Sequence, residues 1–329
     1  MKIGIMSFAH MHAYSYAEGL VNLRGVNLTG ISDKNEKRGK EAADRFGAIY
    51  YQSDKALLES DIVAVIVCSE NVRHKEMVIQ AARAKKHILC EKPLATTKED
   101  ALEMIRTCNE EGVKLMTAFP VRYSAPIQRL KSYVEEGCLG EILSVRTTNR
   151  GQNPGNWFIE EKDSGGGAIL DHTVHMIDIM RWMIRSEIKE IYAEVDTLFT
   201  DIHIDDCGLL SIEFDNGIIA SHDPSWSRNS SYLTWGDATI EIVGSKGRAY
   251  ADAFGENLHF YSVKNKPYRH ILFGKDMDSA LIEDFIECIR HDREPSISGL
   301  DGLRAMEAAL AAYESGMSHQ PVNLYSTSN

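Results

Sequence analysis

One segment concentrates ionisable residues that could carry out acid–base chemistry. In "SGGGAILDHTVHMIDIMRWM", residues 164–183, Asp171, His175 and Asp178 follow i, i+4, i+7 spacing, so a helix would align their side chains in one stripe. The other positions are mainly apolar, and such a stripe is unfavourable unless it faces a polar cleft or finds partners. A histidine beside a carboxylate is a usual general base. The alternative is a buried histidine paired with Asp171, and His172 lies on a different face of the helix.

A second candidate is "CEKPL", residues 90–94, at the end of an apolar strand-like run. Doubly wound sheets place their ligand cleft at the carboxyl ends of the strands. Lys92 there could hydrogen-bond a substrate hydroxyl and stabilise a developing alkoxide. Pro93 makes a cis peptide bond possible. Taken alone, the Lys-Pro pair is also compatible with an ordinary surface turn.

The first 120 residues alternate strand-like and helix-like runs with short links. This pattern predicts an α/β, doubly wound parallel sheet covered by helices on both faces. Thr97 and Gly112 are predicted to begin and end one of the helices. The predicted strands cover 2–7, 26–33, 48–51, 61–69, 87–93 and 113–119, and the clearest helices cover 73–86 and 97–112.

After Pro120 the pattern changes to helices followed by many strands, which predicts an α+β domain with a large, mostly antiparallel sheet. We therefore divide the chain into a dinucleotide-binding Rossmann domain, 1–121, and a substrate-binding and oligomerisation domain, 122–329. "FDNGI" and "VGSKGR" are predicted hairpin turns. Helices are predicted at 124–136, 167–185 and 299–316, and strands at 141–150, 190–199, 207–214, 217–226, 238–244, 247–253 and 258–263.

The turn after the first strand departs from the glycine-rich fingerprint of dinucleotide-binding folds. Where Gly-x-Gly-x-x-Gly is expected, "SFAHMH" has Ser7, Ala9 and His12. We expect Ser7 to turn with a negative φ and to donate its hydroxyl to a phosphate. Since an imidazole cannot occupy a tight helix–strand contact, either the helix begins further out or His12 points into the cleft. His10 and His12, at a helix N-terminus, could touch a pyrophosphate or substrate, or they could face water.

Asp33 ends the second predicted strand, where doubly wound folds place the acidic residue that binds the adenosine ribose. A carboxylate there accepts from ribose hydroxyls and repels a 2′-phosphate, so it predicts NAD, with NADP not excluded. The alternative is that Asp33 caps the following helix.

Composition argues against several classes of partner. The net charge is −12 and basic residues form no cluster, which argues against nucleic acid and anionic membranes. No apolar run approaches the roughly 20 residues that span a bilayer, and no secretory signal is evident. Cys68, Cys90 and Cys207 are predicted to be buried apolar residues, and no metal is expected because ligand spacings are lacking. We expect a cytoplasmic protein.

Together, "EKPL", "FPVRYSAPIQRLK" (119–131), the 164–183 segment and the ending "LRAMEAALAAYESGMSHQPVNL" resemble the Gfo/Idh/MocA oxidoreductases over nearly the whole chain. The resemblance implies an NAD(P)-dependent dehydrogenase or reductase acting on a sugar or cyclitol, and a homodimer or homotetramer. By position, His175 would accept the hydroxyl proton, Lys92 would polarise that oxygen, and Asp171 would orient Lys92 or His175. The alternatives are an NAD-dependent glycoside-cleaving relative and a non-catalytic sugar- or nucleotide-sensing regulator.

The resemblance also implies a set of binding residues. Positions expected at the cofactor are Ser7, Phe8, Ala9, His10, His12, Asp33, Ser69, Asn71, His74, Glu91 and Lys92. Positions expected at the substrate are Arg122, Tyr123, Trp157 and His172. Two further departures, Glu70 where the family often has proline and Lys85 where it often has glycine, are expected at the surface.

Overall fold

The computed structural model describes residues 1–232, 234–261, 268–272 and 276–324. Its contacts divide the chain into two compact units. The first contains Met1–Pro120, Lys162–Gly165 and Asp278–Arg304, and the second contains Val121–Glu161, Gly166–Met277 and Ala305–Asn329. The first unit therefore begins with the segment predicted as the Rossmann domain and also takes in two later segments that the sequence did not assign to it.

The first unit is built on a parallel sheet, as predicted. Its elements are β1 (Lys2–Met6), α1 (His12–Asn22), β2 (Asn27–Ser32), α2 (Glu36–Phe46), β3 (Ile49–Tyr51), α3 (Asp54–Leu58), β4 (Ala64–Val67), α4 (His74–Arg83), β5 (His87–Glu91), α5 (Lys98–Glu111) and β6 (Leu115–Ala118). Among the described strands the order is β3-β2-β1-β4-β5-β6, the strand order of dinucleotide-binding folds. The central strands β1 and β4 are almost wholly buried, because helices cover both faces.

Local signals predicted the ends of α5 correctly. The Thr97 side chain accepts a hydrogen bond from the Asp100 amide, and Gly112 ends the helix in the left-handed conformation at φ 67°. The hydroxyl stabilises an amide that has no partner within the helix, and glycine adopts positive φ without a steric cost.

The second unit is built on a mostly antiparallel sheet. The elements from residue 125 onward are α6 (Ala125–Glu135), β7 (Ile142–Gln152), α7 (Glu161–Ser164), α8 (Ala168–Ile184), β8 (Ile188–Asp196), β9 (Cys207–Phe214), β10 (Ile219–Arg228), β11 (Gly236–Gly244), β12 (Gly247–Asp252), β13 (Asn257–Tyr261), β14 (Tyr268–Leu272), α9 (Met277–Arg290), α10 (Gly299–Ser318) and β15 (Val322–Asn323). Within the described residues, seven strands form the order β12-β11-β7-β10-β9-β8-β15, and only β7 and β10 pair in parallel.

Both predicted hairpins are present, since β9–β10 and β11–β12 pair antiparallel across the predicted turns. The strand predicted at 258–263 is observed as β13 up to Tyr261, and residues 262–263 lie outside the described residues. Helix α8 packs on β7, β9 and β10 and is buried along nearly its whole length. Among the helices described, none is both long and apolar enough to cross a membrane.

Candidate active site

The β1–α1 turn is formed without its glycines. Ser7 has φ 73°, in the left-handed region, so the expectation of a negative φ was wrong. The Ser7 amide donates to the Ser32 carbonyl at 2.7 Å, and its Oγ accepts from the Ala9 amide at 3.1 Å. These bonds hold a serine in a conformation that usually selects glycine. Helix α1 then begins at His12 without an acidic residue in its first turn.

Two histidines of this turn lie against a buried carboxylate. His12 Nδ1 is 3.3 Å from Glu91 Oε2, His10 Nε2 is 4.0 Å from Glu91 Oε1, and Tyr16 donates its hydroxyl to Glu91 Oε2 at 2.7 Å. Burial alone would lower the pKa of His12, but Glu91 outweighs burial and the pKa is raised. Burial alone would raise the pKa of Glu91, but His10 and His12 outweigh it and the pKa is lowered. The alternative that both histidines face water was wrong.

The same three residues have ligand atoms within 4.8 Å of one another, a spacing compatible with a metal ion. The hydrogen bonding of His10 argues against this use. Its Nδ1 accepts from the His12 amide at 3.2 Å, so in the neutral ring the proton resides on Nε2, the atom that faces Glu91. A metal-binding histidine normally donates from its other nitrogen. The arrangement favours a hydrogen-bonded ion pair over a metal centre.

Asp33 lies at the end of β2, and its carboxylate accepts four hydrogen bonds from the protein. Oδ2 accepts from the Phe8 amide at 2.7 Å and Arg38 Nε at 2.8 Å. Oδ1 accepts from the Asn35 amide at 2.7 Å and Arg38 Nη2 at 2.8 Å. The α2 cap is Asn35, whose side chain accepts from the Arg38 amide, so the alternative that Asp33 caps this helix was wrong.

Lys92 follows β5 directly and is buried. Its amide donates to Glu91 Oε1 at 3.1 Å, and the Lys92–Pro93 peptide bond is cis, as the sequence allowed. His74 supports this turn, because its Nδ1 lies 2.8 Å from the Pro93 carbonyl and its Nε2 lies 3.3 Å from the Ser69 carbonyl. Burial lowers the pKa of His74, which favours the neutral imidazole.

Asn71 is also buried and donates its side-chain amide to the Ser164 carbonyl at 2.8 Å. Residues 162–165 belong to the first unit, so this bond holds a distant segment of the chain onto it. Asn71 and His74 therefore both contribute to the structure of the strand ends where a cofactor is expected.

The N-terminus of α8 is capped by residues that the sequence analysis did not identify. The Asp205 carboxylate accepts from the amides of Gly167 (Oδ1, 3.0 Å) and Ile169 (Oδ2, 2.7 Å), and its carbonyl accepts from Ala168 at 3.0 Å. The Tyr313 hydroxyl donates to Asp205 Oδ1 at 2.8 Å and accepts from the Gly167 and Leu170 amides. All four amides without intrahelical partners are thus satisfied from outside the helix.

Asp171 lies in the first turn of α8, against a buried tryptophan. Trp226 donates its indole N–H to Asp171 Oδ2 at 3.1 Å. His172 is held between two acceptors, with Nδ1 2.7 Å from the Asn149 carbonyl and Nε2 3.3 Å from Asp171 Oδ2. His175 follows one turn after Asp171 and is buried. The helix therefore presents a histidine and a carboxylate one turn apart, as predicted.

Asp178, the third member of the predicted stripe, forms a buried ion pair. Arg122 donates to it through Nε at 2.7 Å and Nη2 at 2.5 Å, and the guanidinium lies over the Trp182 ring. Arg122, which was expected at the substrate, therefore forms an ion pair with a member of the predicted stripe. Tyr123 is half-buried next to it, and Trp157 is half-buried and stacked on Phe158 with ring centroids 3.8 Å apart.

The cysteine predictions hold for two of three positions. Cys68 and Cys90 are buried in β-sheet surroundings, and burial raises the pKa of each thiol well above its usual value. Cys207 is only half-buried, so its predicted burial was wrong, although desolvation still raises its pKa to about 11. High thiol pKa values argue against a nucleophilic role for these side chains.

Some residues important to the site were missed for identifiable reasons. A buried tryptophan such as Trp226 needs a hydrogen-bond partner for its indole N–H. The sequence shows that need but does not show which residue is the partner. Asp205 lies 36 positions along the chain from the Ile169 amide that it caps, and Tyr313 lies 143 positions from the Leu170 amide, so no local pattern marks such caps. Arg38, which binds Asp33, was not identified from the sequence.

Comparison with known proteins agrees with this architecture. A family model described as an oxidoreductase family with an NAD-binding Rossmann fold matches residues 2–119, and a GFO/IDH/MocA C-terminal domain model matches residues 127–250. Two relatives are each 30% identical. They are the uncharacterized oxidoreductase YrbE of Bacillus subtilis, over 95% of this chain and 93% of that protein, and myo-inositol 2-dehydrogenase of Thermotoga maritima, over 96% of both.

Among solved structures, GenD2 from gentamicin A biosynthesis, in complex with NAD, superposes with a TM-score of 0.91. It is 24% identical and the match covers 99% of this chain and 97% of that one, so it supports the fold. The family models and the two relatives of nearly full length show that this chain belongs to the Gfo/Idh/MocA family of NAD-binding oxidoreductases.

Proposed function

We propose that this oxidoreductase transfers hydride between a nicotinamide cofactor and a secondary hydroxyl or ketone of a sugar or cyclitol. The observation that carries the proposal is the placement of His175 and Asp171 one turn apart on a helix that is buried along nearly its whole length. Apolar side chains would pack better at these two positions, so packing alone does not account for the pair. The 30% identity to a myo-inositol 2-dehydrogenase supports a polyhydroxylated substrate.

The residues of the β1–α1 turn fit a dinucleotide. Helix α1 starts directly after the turn and has no acidic residue in its first turn, so no carboxylate of that turn offsets the positive end of its dipole toward an anion such as the pyrophosphate. His12, whose pKa is raised by Glu91, offsets the negative charge of that carboxylate beside the helix end when it is protonated. When bound, the nicotinamide supplies the hydride acceptor or donor.

The acid–base work falls to three side chains. We assign His175 as the group that takes the hydroxyl proton, since a neutral imidazole is the usual proton acceptor near pH 7. Lys92, buried at the end of β5, would donate a hydrogen bond to the same oxygen and stabilise negative charge on it. Asp171, fixed by the Trp226 indole, would orient the proton acceptor.

The test is a screen of sugars and cyclitols with NAD and NADP, followed by absorbance of the reduced nicotinamide. With the substrate found, His175→Ala and Lys92→Ala should each lower kcat by at least about 100-fold. Matched controls are His291→Ala, at an exposed histidine, and Lys37→Ala, at an exposed lysine, which should leave kcat unchanged. Full activity in the first two variants would contradict the assignment. Sugar release without net reduced nicotinamide would favour the glycoside-cleaving alternative.

Copies of this chain are further proposed to assemble through the sheet face opposite α8. The register places Leu209, Ile219 and Tyr250 on that face, and all three are exposed. A cavity of about 550 Å³ on the same face is lined in part by Leu198 and Phe199. Exposed apolar residues in this number favour an interface.

Light scattering after gel filtration tests the assembly. The double variant Leu209→Asp/Ile219→Asp should shift the protein toward monomer, whereas the control Leu102→Asp, at an exposed position of α5, should not. A monomeric wild-type protein would contradict the proposal.

A further inference from the structure

An exposed tryptophan stands at the start of β11. Trp235 directly precedes this strand, and 44% of the residue is exposed. Leaving so large an apolar ring in water forgoes the free energy that its burial would release. A single exposed apolar residue is nevertheless common on protein surfaces. What distinguishes Trp235 is therefore its position in the second unit, and not its exposure alone.

The backbone around Trp235 is held by the neighbouring strand. The Trp235 carbonyl accepts from the Gln152 amide at 3.1 Å, at the end of β7. The Gln152 side chain donates to the Thr234 carbonyl at 3.1 Å, and the Thr234 hydroxyl donates to the Gly236 carbonyl at 2.9 Å. The indole is therefore carried on a fixed edge of the sheet, where it can hold a ligand in one orientation.

The indole nitrogen lies beside the ring of His172. A side-chain carbon at position 151 would come 2.8 Å from His172 Cε1 and 3.0 Å from Trp235 Nε1, so Gly151 leaves room for both rings. His172 Nε2 is in turn 3.3 Å from Asp171 Oδ2. Because α8 carries His172, the indole nitrogen is on the α8 side of the sheet, and the face proposed for assembly is the opposite one. An interface on that face therefore does not cover the indole.

Two tryptophans thus lie next to adjacent residues of α8, but their N–H groups differ. Trp226 donates to Asp171 Oδ2 at 3.1 Å. The Trp235 N–H has no acceptor among the residues that the structure describes. An indole N–H that lies against protein atoms usually finds an acceptor. This one is available to a ligand hydroxyl, which would take the place of water.

A ring that carries several hydroxyls matches this arrangement. The hydroxyls of a pyranose or cyclitol project mainly from the edge of the ring, while its C–H bonds form a less polar face. Packing that face on an indole removes apolar surface of both from water, and the indole N–H can bond a hydroxyl at the edge. Binding sites for small molecules combine aromatic surface with a few placed polar groups in the same way.

We propose that Trp235 binds the sugar or cyclitol by stacking on its ring and by donating its N–H to a hydroxyl. The inference rests on the proposed function, to which it adds the residue that recognises the ring. Trp235 takes no part in proton transfer, so its removal weakens substrate binding and leaves the chemical step nearly unchanged.

The experiment measures binding without turnover. The full chain, saturated with NADH, is titrated by calorimetry with cyclitols, myo-inositol among them, and with methyl pyranosides, none of which has a carbonyl for NADH to reduce. Trp235→Ala removes the ring and the N–H, and Trp235→Phe retains an aromatic face without the N–H. The matched control is Tyr133→Ala, since Tyr133 is an aromatic residue of α6 that is 39% exposed. Circular dichroism checks that each variant is folded.

We expect the dissociation constant of the tightest-binding polyol to rise at least about tenfold in Trp235→Ala and about threefold in Trp235→Phe. Tyr133→Ala should change it less than about twofold. An increase in Trp235→Ala no larger than in this control would overturn the inference, and so would the absence of polyol binding to the wild type.

The outcome for the proposed function is separate. If polyols bind in a manner that Trp235→Ala weakens, but NAD oxidises none of them, the inference stands and the proposed function is contradicted. If NAD oxidises a polyol whose dissociation constant Trp235→Ala leaves unchanged, the proposed function stands and this inference fails.

Discussion

The external cap of α8 allows a quantitative test with Tyr313→Phe. The change removes a hydroxyl that donates to the Asp205 carboxylate at 2.8 Å and accepts from the Leu170 amide at 3.3 Å. A hydrogen bond to a charged group contributes about 1.5–3 kcal/mol, and a buried amide left without an acceptor costs about 1–3 kcal/mol. Gly167 retains its bond to Asp205 Oδ1, so its amide stays satisfied.

Because neighbouring bonds are not additive, we expect Tyr313→Phe to lower the free energy of unfolding by about 2–4 kcal/mol. The four tryptophans, Trp157, Trp182, Trp226 and Trp235, all lie in the second unit, so their fluorescence during urea denaturation reports on the unit that contains α8. The activity assay gives a second readout, since α8 carries the proposed catalytic pair and a small displacement should lower kcat at least about tenfold.

The matched control is Tyr192→Phe. Tyr192 also donates its hydroxyl to a carboxylate, that of Glu194, but at the exposed surface. Its removal should leave the unfolding midpoint unchanged. If Tyr313→Phe shifted the midpoint no more than this control, the account of the cap would be refuted.

Three further predictions concern other parts of the molecule. Arg122→Ala should lower the free energy of unfolding by about 3–5 kcal/mol in the same urea assay, because it leaves the buried Asp178 carboxylate without its guanidinium; a loss below about 1 kcal/mol would contradict this. Since Glu91 raises the pKa of His12, their pairing should stabilise the fold fully below pH 6.5 and lose its contribution as the pH rises through the raised pKa. Histidine NMR, assigned with His12→Gln, should give a midpoint above 6.5, and a lower one would refute it. Lys85→Gly should raise the free energy of unfolding by about 1 kcal/mol, since Lys85 is exposed at φ 58°; thermal denaturation checks this, and unchanged stability would argue against strain there.

Much of the first unit could be predicted because its signals are local. Strand and helix positions follow from apolar runs and from caps such as Thr97 and Gly112, which act within a few residues. The positions of Lys92 at a strand end and of Asp171 and His175 on one helix follow from the same reasoning. Ser7 was mispredicted because its positive φ is imposed by bonds to Ser32 and Ala9, not by its own preference.

What escaped prediction depends on partners distant in sequence. From the sequence, Asp178 is one more member of an ionisable stripe. Its ion pair with Arg122, 56 positions away, is visible only in the structure. From the sequence, Arg38 resembles any surface residue of α2, and only the structure shows its hydrogen bonds to Asp33. Charged side chains of this kind are uninformative in a single sequence, since the same residue types occur on any solvated helix face.

The parallel pairing of β7 with β10 has a consequence for how the second unit forms. Thr147 and His222, which hydrogen-bond across this pair, are 75 positions apart, and β11, on the other side of β7, comes later still. At about 5–20 residues per second, the ribosome takes roughly 4–15 s to add that stretch. During this interval β7 has both edges unpaired. Strands β8, β9 and β10 can pair as they emerge, so β7 gains its first partner with β10 and is enclosed on both sides only when β11 follows. Helix α8 gains its complete support only when β7 is enclosed.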